Sequence, residues 1–437
     1  MRASWRQGEP RGHRRRRTLV ARGLTLAAGM AFLATSLARG QAPGAVVPNS
    51  ECWKCHLELE GDERGPAHGF AEDIHAQNGL TCSDCHGGNP ATDDVEQAKD
   101  KTFRGVPRGK DVVAVCARCH SDAAFMRRYN PALPVDQAEK YATSVHGQRL
   151  AGGDTKAAIC ISCHGVHGIL PADRPRSLIY PRNLPATCNH CHGDAAYMAP
   201  YGIPTDQFAK YRASIHGVAL LTRGDLGAPA CNDCHGNHGA APPGVEDLSR
   251  VCGLCHALNA ELFAAGPHAA AFEAADLPQC EACHGNHAVA ATGDSLIDAR
   301  SGVCATCHAV DDAGGLAAVA MRATLDSLQL AYGQSVELLG QASQKGMEVG
   351  QATFELKEAR QSLIEARTAT HTITPARVRA AAAKGREITG RAIQAGRRAL
   401  ADYQFRRRGL GVATLALSLF AVVLYLRIRR TDAKSST

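Results

Sequence analysis

All 18 cysteines of this 437-residue chain fall in one motif, Cys-x-x-Cys-His, which occurs nine times. Two thiols separated by two residues match the spacing of the vinyl groups on one porphyrin edge, and the adjacent histidine reaches the iron. The pattern predicts nine covalently bound c-type haems, each attached by two thioether bonds. The motif residues are Cys52, Cys55 and His56; Cys82, Cys85 and His86; Cys116, Cys119 and His120; Cys160, Cys163 and His164; Cys188, Cys191 and His192; Cys231, Cys234 and His235; Cys252, Cys255 and His256; Cys280, Cys283 and His284; and Cys304, Cys307 and His308.

Other uses of cysteine fit this pattern less well. A disulfide scaffold is disfavoured because every cysteine is absorbed by a motif. Zinc would need cysteines and histidines grouped as tetrahedra, whereas here one histidine directly follows each pair of thiols. The chain has only 2 Trp, 9 Tyr and 10 Phe, so we expect cofactors rather than side chains to fill much of the core.

The remaining histidines are candidates for the second axial position on each iron. A larger repeat contains the motifs in pairs. Each complete pair carries one histidine upstream of its second motif and one histidine three residues after the histidine of that motif. We expect these residues to ligate iron, and we expect the same of the two linker histidines in the divergent first pair. The repeated candidates are His146, His216 and His268 upstream, His167, His238 and His287 downstream, and His68 and His75 in the first pair.

The ninth motif, Cys304–His308, has no such partner within its own repeat, and His371 is the remaining candidate for it. We interpret His190, which lies inside a motif, as a non-ligand, and Met126 and Met198 as residues that pack against a haem face. Two histidines on each iron give six-coordinate, low-spin haem, which has no open site and transfers electrons.

The charge balance argues against a nucleic-acid-binding protein. The formal net charge is +7, but residues 1–42 hold nine of the 49 basic residues and one of the 42 acidic ones. The rest of the chain has 40 basic residues against 41 acidic ones, so no lasting basic excess remains for nucleic acid.

The N-terminus predicts an exported protein. Arg14–Arg17 precede an apolar run from Leu24 to Leu37 that is too short to span a bilayer, and small residues allow cleavage after Ala42. Residues 1–42 are therefore interpreted as a signal peptide; the alternative is a retained N-terminal anchor. Haem-bearing motifs downstream of a signal peptide place the cytochrome region in the periplasm.

Beyond residue 316 the composition changes to Ala, Glu, Gln, Lys and Arg, without cysteine. Apolar residues recur at three- and four-residue steps, as one face of a helix requires. We expect a break near 340–350 and a second helix that begins at Thr374-Pro375, with Thr as cap and Pro in the first turn. A plain coiled-coil spacer is the alternative. The predicted apolar face consists of Leu325, Leu328, Tyr332, Val336 and Leu339.

Leu410 to Leu426 is an uncharged apolar run with arginines on both sides, at the lower limit of length for a spanning helix. A buried helix of a soluble domain is the alternative. The expected fold is mainly α with much irregular structure: an elongated multihaem array with little regular sheet, then long helices and one transmembrane helix. The expected order is 1–42 signal peptide, 43–312 nonahaem domain of paired repeats, 313–408 helical stalk, 409–427 transmembrane helix and 428–437 cytoplasmic tail.

Ser-Val-His-Gly and Ser-Ile-His-Gly precede Cys-His-Gly-Val-His-Gly and Cys-His-Gly-Asn-His-Gly. Over residues 50–310 these motifs resemble the multihaem c-type cytochromes of the doubled Cys-x-x-Cys-His, class III-like group. The resemblance implies axial ligation by the motif and repeat histidines. It also implies electron transfer between membrane quinol-oxidising complexes and periplasmic or outer-membrane acceptors. The long C-terminal helices are similar to those of the hydroxylamine-oxidoreductase and nitrite-reductase superfamily, but the chain has no Cys-x-x-Cys-Lys motif.

The leading hypothesis is a nonahaem electron-transfer cytochrome on the periplasmic side of a bacterial inner membrane, held by its C-terminal helix. A single apolar helix cannot build a quinone pocket alone, so a separate membrane subunit is the expected partner. The second hypothesis is a reductase or oxidoreductase of small nitrogen or sulfur oxyanions, with one open haem at Cys304–His308. A third is a structural or sensor module.

Overall fold

A computed structural model describes residues 50–59, 65–242 and 248–435, and the predicted signal peptide lies outside these ranges. The described residues contain helices and turns and no β-strand. The expectation of a mainly α fold with irregular connections is therefore confirmed. Short helices occupy the region of the motifs, and three long helices follow it.

The short helices of the motif region, here called the array (residues 50–312), carry the cysteines, the histidines or the turns between them. They are α1 Glu51–Glu58, α2 Gly65–Phe70, α3 Ile74–Gln77, α4 Cys82–His86, α5 Val95–Ala98, α6 Lys110–His120, α7 Ala123–Met126, α8 Gln137–Thr143, α9 Val145–Ala151, α10 Cys160–His164, α11 Leu184–His192, α12 Ala195–Met198, α13 Gln207–Ala213, α14 Ile215–Gly217, α15 Cys231–His235, α16 Leu248–Gly253, α17 Ala257–Ala264, α18 Pro267–Ala274 and α19 Gln279–His284. Single turns of 3₁₀ helix lie at Ala199–Tyr201, Asp294–Ile297 and Val303–Thr306, and a π-helical turn lies at Val218–Thr222.

The second motif of each pair ends at a glycine in the left-handed region. Gly87, Gly165, Gly236 and Gly285 have φ values of 73°, 76°, 82° and 70°. A residue without Cβ adopts this conformation at little cost and ends a helix. The motif helix therefore stops directly after its histidine, and the chain turns towards the downstream histidine.

The Ser-x-His-Gly segments hold the upstream histidines in the first turn of a capped helix. The Ser144 hydroxyl accepts a hydrogen bond from the Gly147 backbone N–H at 2.9 Å, as an N-cap does. A Cβ on Gly147 would lie 1.9 Å from the Tyr141 carbonyl oxygen, so only glycine fits. Ser214 and Gly217 repeat the arrangement, with a hydrogen bond of 3.0 Å and a Cβ distance of 1.9 Å.

Backbone hydrogen bonds join consecutive pairs of motifs. In each bond, the donor is the backbone N–H of the residue just before an upstream histidine. The acceptor is a backbone carbonyl in the next pair, two residues after the downstream histidine. These bonds run from Ile74 to Ile169 at 2.9 Å, from Val145 to Ala240 at 3.1 Å and from Ile215 to Val289 at 2.8 Å. The repeats therefore interlock, as expected for units that cannot bury an apolar face alone.

The stalk (residues 313–408) is a bundle of α20 Ala313–Gln344, α21 Gly350–Ala369 and the first part of α22 Pro375–Ser435, with a 3₁₀ turn at Thr370–Thr372. The predicted break falls at residues 345–349, and the predicted helix start at Pro375 is confirmed. Two apolar clusters form the core of the bundle, one around Leu328 and the other around Leu339.

One residue of the predicted apolar face points elsewhere. Val336 is 48% exposed, so its assignment to the core was wrong. Ser335 is fully buried instead, and its hydroxyl donates to the backbone carbonyls of Ala331 at 2.7 Å and Thr389 at 3.2 Å. Because the hydroxyl is hydrogen-bonded, burying it carries little cost in free energy. Because the side chain is small, α20 can approach α22 closely at this position.

Helix α22 continues without interruption through the apolar run, which the protein leaves exposed. Within the described part of the chain, this is the one helix long and apolar enough to cross a membrane. The same helix, α22, therefore runs through both the stalk and the apolar segment.

The array and the stalk belong to one unit, residues 45–437. Arg367 of α21 donates two hydrogen bonds of 2.8 Å to the Asp294 carboxylate, and Arg322 of α20 donates to the Asp294 carbonyl at 2.9 Å. Bidentate pairs of this kind fix orientation. The 3₁₀ turn at Asp294–Ile297, which follows the eighth motif, is therefore held against the bundle.

Candidate cofactor site

One continuous cavity of about 3670 Å³ runs along the array and is lined by residues from all nine motifs. In chain order these motifs define site 1 (Cys52–His56) to site 9 (Cys304–His308). Protein interiors are close-packed, so an apolar cavity of this size fits large apolar cofactors. Cysteines and a histidine at each site supply the donors that c-type haem requires.

Sixteen histidines face one another in eight pairs, and each pair joins a motif histidine with one of the other histidines. Two metal–nitrogen bonds of about 2 Å, with the imidazole rings beyond them, place ring centroids roughly 6 Å apart. The observed centroid distances are 5.9–6.2 Å, so each pair matches the spacing needed to hold one iron. The pairs are His86–His167, His75–His120, His164–His238, His146–His192, His235–His287, His216–His256, His284–His371 and His268–His308.

The pairs follow a reciprocal rule. The upstream His75 of the first pair of motifs faces His120 of the second, while the downstream His167 of the second faces His86 of the first. The same exchange recurs at each later boundary between pairs. Neighbouring repeats therefore supply histidines to each other in both directions.

The rule changes the position expected for His371. This residue faces His284 of site 8, and His268 faces His308 of site 9, with centroid distances of 6.0 Å in both cases. The upstream His268 reaches forward to site 9, as upstream histidines do elsewhere. Site 8 then needs a downstream histidine, which the 3₁₀ turn of the stalk provides. The hypothesis of an open site at Cys304–His308 finds no support in this arrangement.

Site 1 differs from the others. His68 is exposed on α2 and is not among the residues that line the cavity, so its role as an iron ligand stays a prediction. His190 is also exposed. Met126 and Met198 are buried against the cavity, consistent with a packing role.

The electrostatic environment favours neutral imidazole, the form that binds metal. Burial, followed by the charge of the facing histidine, lowers the pKa of His146, His216 and His268. Burial is likewise the largest cause of the lowered pKa of the motif histidines His164 and His284. These side chains therefore present a lone pair at neutral pH.

Hydrogen bonds donated by Nδ1 orient several rings. His86 donates to the Gly105 carbonyl at 2.8 Å, His235 to the Ala241 carbonyl at 3.2 Å and His371 to the Thr368 carbonyl at 2.9 Å. Because a carbonyl can only accept, Nδ1 carries the proton and Nε2 is left for iron.

Carboxylates take this role at two sites, and the sequence analysis missed both. The Asp73 carboxylate accepts from His75 Nδ1 at 2.8 Å, and the Asp312 carboxylate lies 3.3 Å from His308 Nδ1. The sequence did carry a signal for Asp73: it aligns with Ser144 and Ser214 in the repeat, two residues before a histidine.

Thiols of consecutive motifs are close enough to raise one another's pKa along the array. Within pairs, the partner thiols Cys160, Cys231 and Cys280 are the largest cause of the raised pKa of Cys116, Cys188 and Cys252. Between pairs, burial and then the charge of Cys188 raise the pKa of Cys163 to about 11. Burial likewise raises the pKa of Cys82, Cys85, Cys234 and Cys283, and the charges of Cys52, Cys119, Cys255 and Cys304 in the neighbouring motifs add to it. The sites therefore follow one another in sequence order.

A cavity lined by Cys-x-x-Cys-His motifs and facing histidines defines a multihaem c-type cytochrome. The cytochrome c3 family model matches residues 74–193, which contain sites 2 to 5. That stretch is a multihaem c-type cytochrome of the cytochrome c3 class, which implies covalent c-type haem with iron. No curated protein and no solved structure matches the chain significantly.

Proposed function

We propose that this protein is a nonahaem electron-transfer cytochrome. The observation that carries the proposal is the set of eight facing histidine pairs, each with one motif histidine, at 5.9–6.2 Å. A haem bound at such a pair supplies a one-electron couple with both axial positions filled. The chain's own contribution is to hold the sites in one unbroken series.

The exposed apolar segment of α22 supports a membrane anchor. From Pro375 to Arg408 the helix is about 50 Å long at 1.5 Å per residue, and site 8 meets the 3₁₀ turn that precedes this helix through His371. We propose that the array lies in the periplasm, raised above a bacterial inner membrane. It then carries electrons between a separate quinol-oxidising membrane subunit and periplasmic or outer-membrane acceptors.

The proposal is tested with the full-length protein matured in a bacterial periplasm. We expect nine haems per chain by the pyridine haemochrome assay. We also expect a low-spin ferric EPR spectrum at sites 2 to 9 and rapid electron exchange with other cytochromes. Turnover of nitrite, hydroxylamine or tetrathionate by the dye-reduced protein, together with a high-spin haem at one of sites 2 to 9, would contradict it and favour an enzyme.

A further inference from the structure

We propose that Asp73 lowers the reduction potential of site 3 through its hydrogen bond to His75, making site 3 a low-potential position within the series. The inference rests on the proposed function, because it concerns the haem held by His75 and His120.

Asp73 is buried and fully engaged as an acceptor. Its side chain is 2% exposed. One carboxylate oxygen accepts from the His75 backbone N–H at 2.9 Å and from His75 Nδ1 at 2.8 Å. The other accepts from the Ile169 backbone N–H at 2.8 Å. All three bonds favour the ionised carboxylate, and the ring donates its Nδ1 proton to a charge rather than to a neutral carbonyl.

The repeat shows that this carboxylate is a local departure. Ser144 and Ser214 occupy the equivalent position, two residues before His146 and His216. Their hydroxyls donate to the carbonyls of Tyr141 and Tyr211, at 2.6 Å in each case, and cap the helix. Like Asp73, they cap the helix by accepting from a backbone N–H, but they place no charge beside the ring.

The second carboxylate at an axial histidine is less well placed. Asp312 lies 3.3 Å from His308 Nδ1 and its side chain is 42% exposed. Its other oxygen caps α20 by accepting from Gly315 at 2.8 Å. Solvent screens an exposed charge far more than a buried one, so we assign the larger effect to Asp73.

The physical reason lies in the charge difference between the two redox states. A carboxylate that accepts the Nδ1 proton makes imidazole a stronger electron donor to the metal. Low local dielectric strengthens that interaction. The ferric form carries one more positive charge, so the stronger donor stabilises it more than it stabilises the ferrous form. Site 3 is then harder to reduce than a site whose histidine donates to a carbonyl. An electron that passes between sites 1 and 2 and sites 4 to 9 must therefore cross a site of lower reduction potential.

The orientation of the two rings gives a readout specific to site 3. The planes of His75 and His120 are 85° apart, whereas the other seven pairs are 4–58° apart. Perpendicular rings leave the two π-type d orbitals of a low-spin iron nearly equal in energy. The resulting EPR signal is much more anisotropic than that of nearly parallel rings, so it can be followed separately.

The experiment is an EPR-monitored redox titration of the holoprotein and of the Asp73→Asn and Asp73→Ser variants. In both variants we expect about a tenfold shift of the site 3 equilibrium towards the ferrous form at fixed potential. For a one-electron couple this equals about 59 mV. Asp73→Ser introduces the residue that already caps the other repeats, so it keeps the helix cap while removing the charge and the bond to the Ile169 N–H.

Glu72→Gln is the matched control. Glu72 is the neighbouring acid, and it pairs with Arg176 of the second repeat at 2.7 Å without touching an axial histidine. We expect no shift in this variant. An equal shift would mean that the nearby charge, rather than the hydrogen bond, acts on site 3, and would overturn the proposal.

Two other results would also overturn it: an unmoved midpoint in both Asp73 variants, or a high-spin signal showing that Asp73 only holds His75 in place. Failure of the proposed function is distinguishable, because the wild-type protein would then lack covalent haem in the pyridine haemochrome assay or would turn over nitrite, hydroxylamine or tetrathionate, whatever the midpoint of the Asp73 variants.

Discussion

The facing of individual histidines follows from their position in the repeat. A histidine upstream of a second motif reaches forward to the next pair, and a downstream histidine reaches back. His167 adopts φ 53° and Ile373, two residues after His371, adopts φ 49°. Such conformations are uncommon for residues with a Cβ.

The assignment of His371 to site 8 gives a prediction at the residue scale. His371→Ala and His268→Ala should each convert one low-spin haem to high-spin, because each removes a different axial histidine. The double variant should show two more high-spin haems than the wild type in the ferric EPR spectrum, and His190→Ala should show no more than the wild type. One additional high-spin haem in the double variant would mean that both residues serve the same site.

At the scale of elements, the array and the stalk are stabilised differently. The array has few buried apolar side chains, so its helices depend on caps, glycine turns and the cofactors. The stalk has its own apolar core, with Leu328 fully buried between its helices while Leu330 is 64% exposed. The stalk should therefore respond to core substitutions as an ordinary helical bundle does.

Leu328→Ala should destabilise the stalk by about 2–5 kcal/mol, because it removes buried methyl groups and leaves a cavity. Leu330→Ala should change stability by no more than about 0.5 kcal/mol. The two variants are compared by thermal unfolding of the holoproteins, with circular dichroism as the detection method. Equal effects of the two variants would contradict the packing of α20 described here.

A second prediction for elements concerns Gly147. Gly147→Ala places a Cβ against the Tyr141 carbonyl, and relieving that overlap should cost about 1–3 kcal/mol. Gly333→Ala is the control, because a Cβ there meets no atom within 4 Å and alanine favours a helix interior by about 1 kcal/mol. The melting temperature should fall in Gly147→Ala and rise in Gly333→Ala. An unchanged melting temperature in Gly147→Ala would contradict the close approach of Gly147 to the Tyr141 carbonyl.

At the scale of the whole molecule, α22 links the last sites of the array to the apolar segment as one continuous helix. His371 ties site 8 to the turn between α21 and α22, and the Arg367–Asp294 pair holds the adjoining loop. Movement of the stalk relative to the array would strain both contacts, so the distance between the sites and the apolar segment is fixed by helix length.

Removing residues 409–437 should release the protein from the membrane while leaving its haem content and visible spectrum unchanged. The physical reason is that the array and the bundle carry no other exposed apolar run of membrane-spanning length in the described residues. The measurement is fractionation of cells expressing the truncated and full-length chains. Retention of the truncated chain in salt-washed membranes would indicate a second anchor, such as an uncleaved N-terminus.

The sequence by itself determined the cofactor class, the set of histidines and the helical C-terminal region. Motif spacing is set by the covalent geometry of the porphyrin edge, and helix periodicity by the backbone, and both are local. The tertiary structure alone decided which histidines face each other, because the partners of a pair lie in different repeats. It moved His371 from site 9 to site 8, left His68 exposed and brought Asp73 to His75. It also buried Ser335 in place of Val336, because helix packing selects the residue small enough for two backbones to approach.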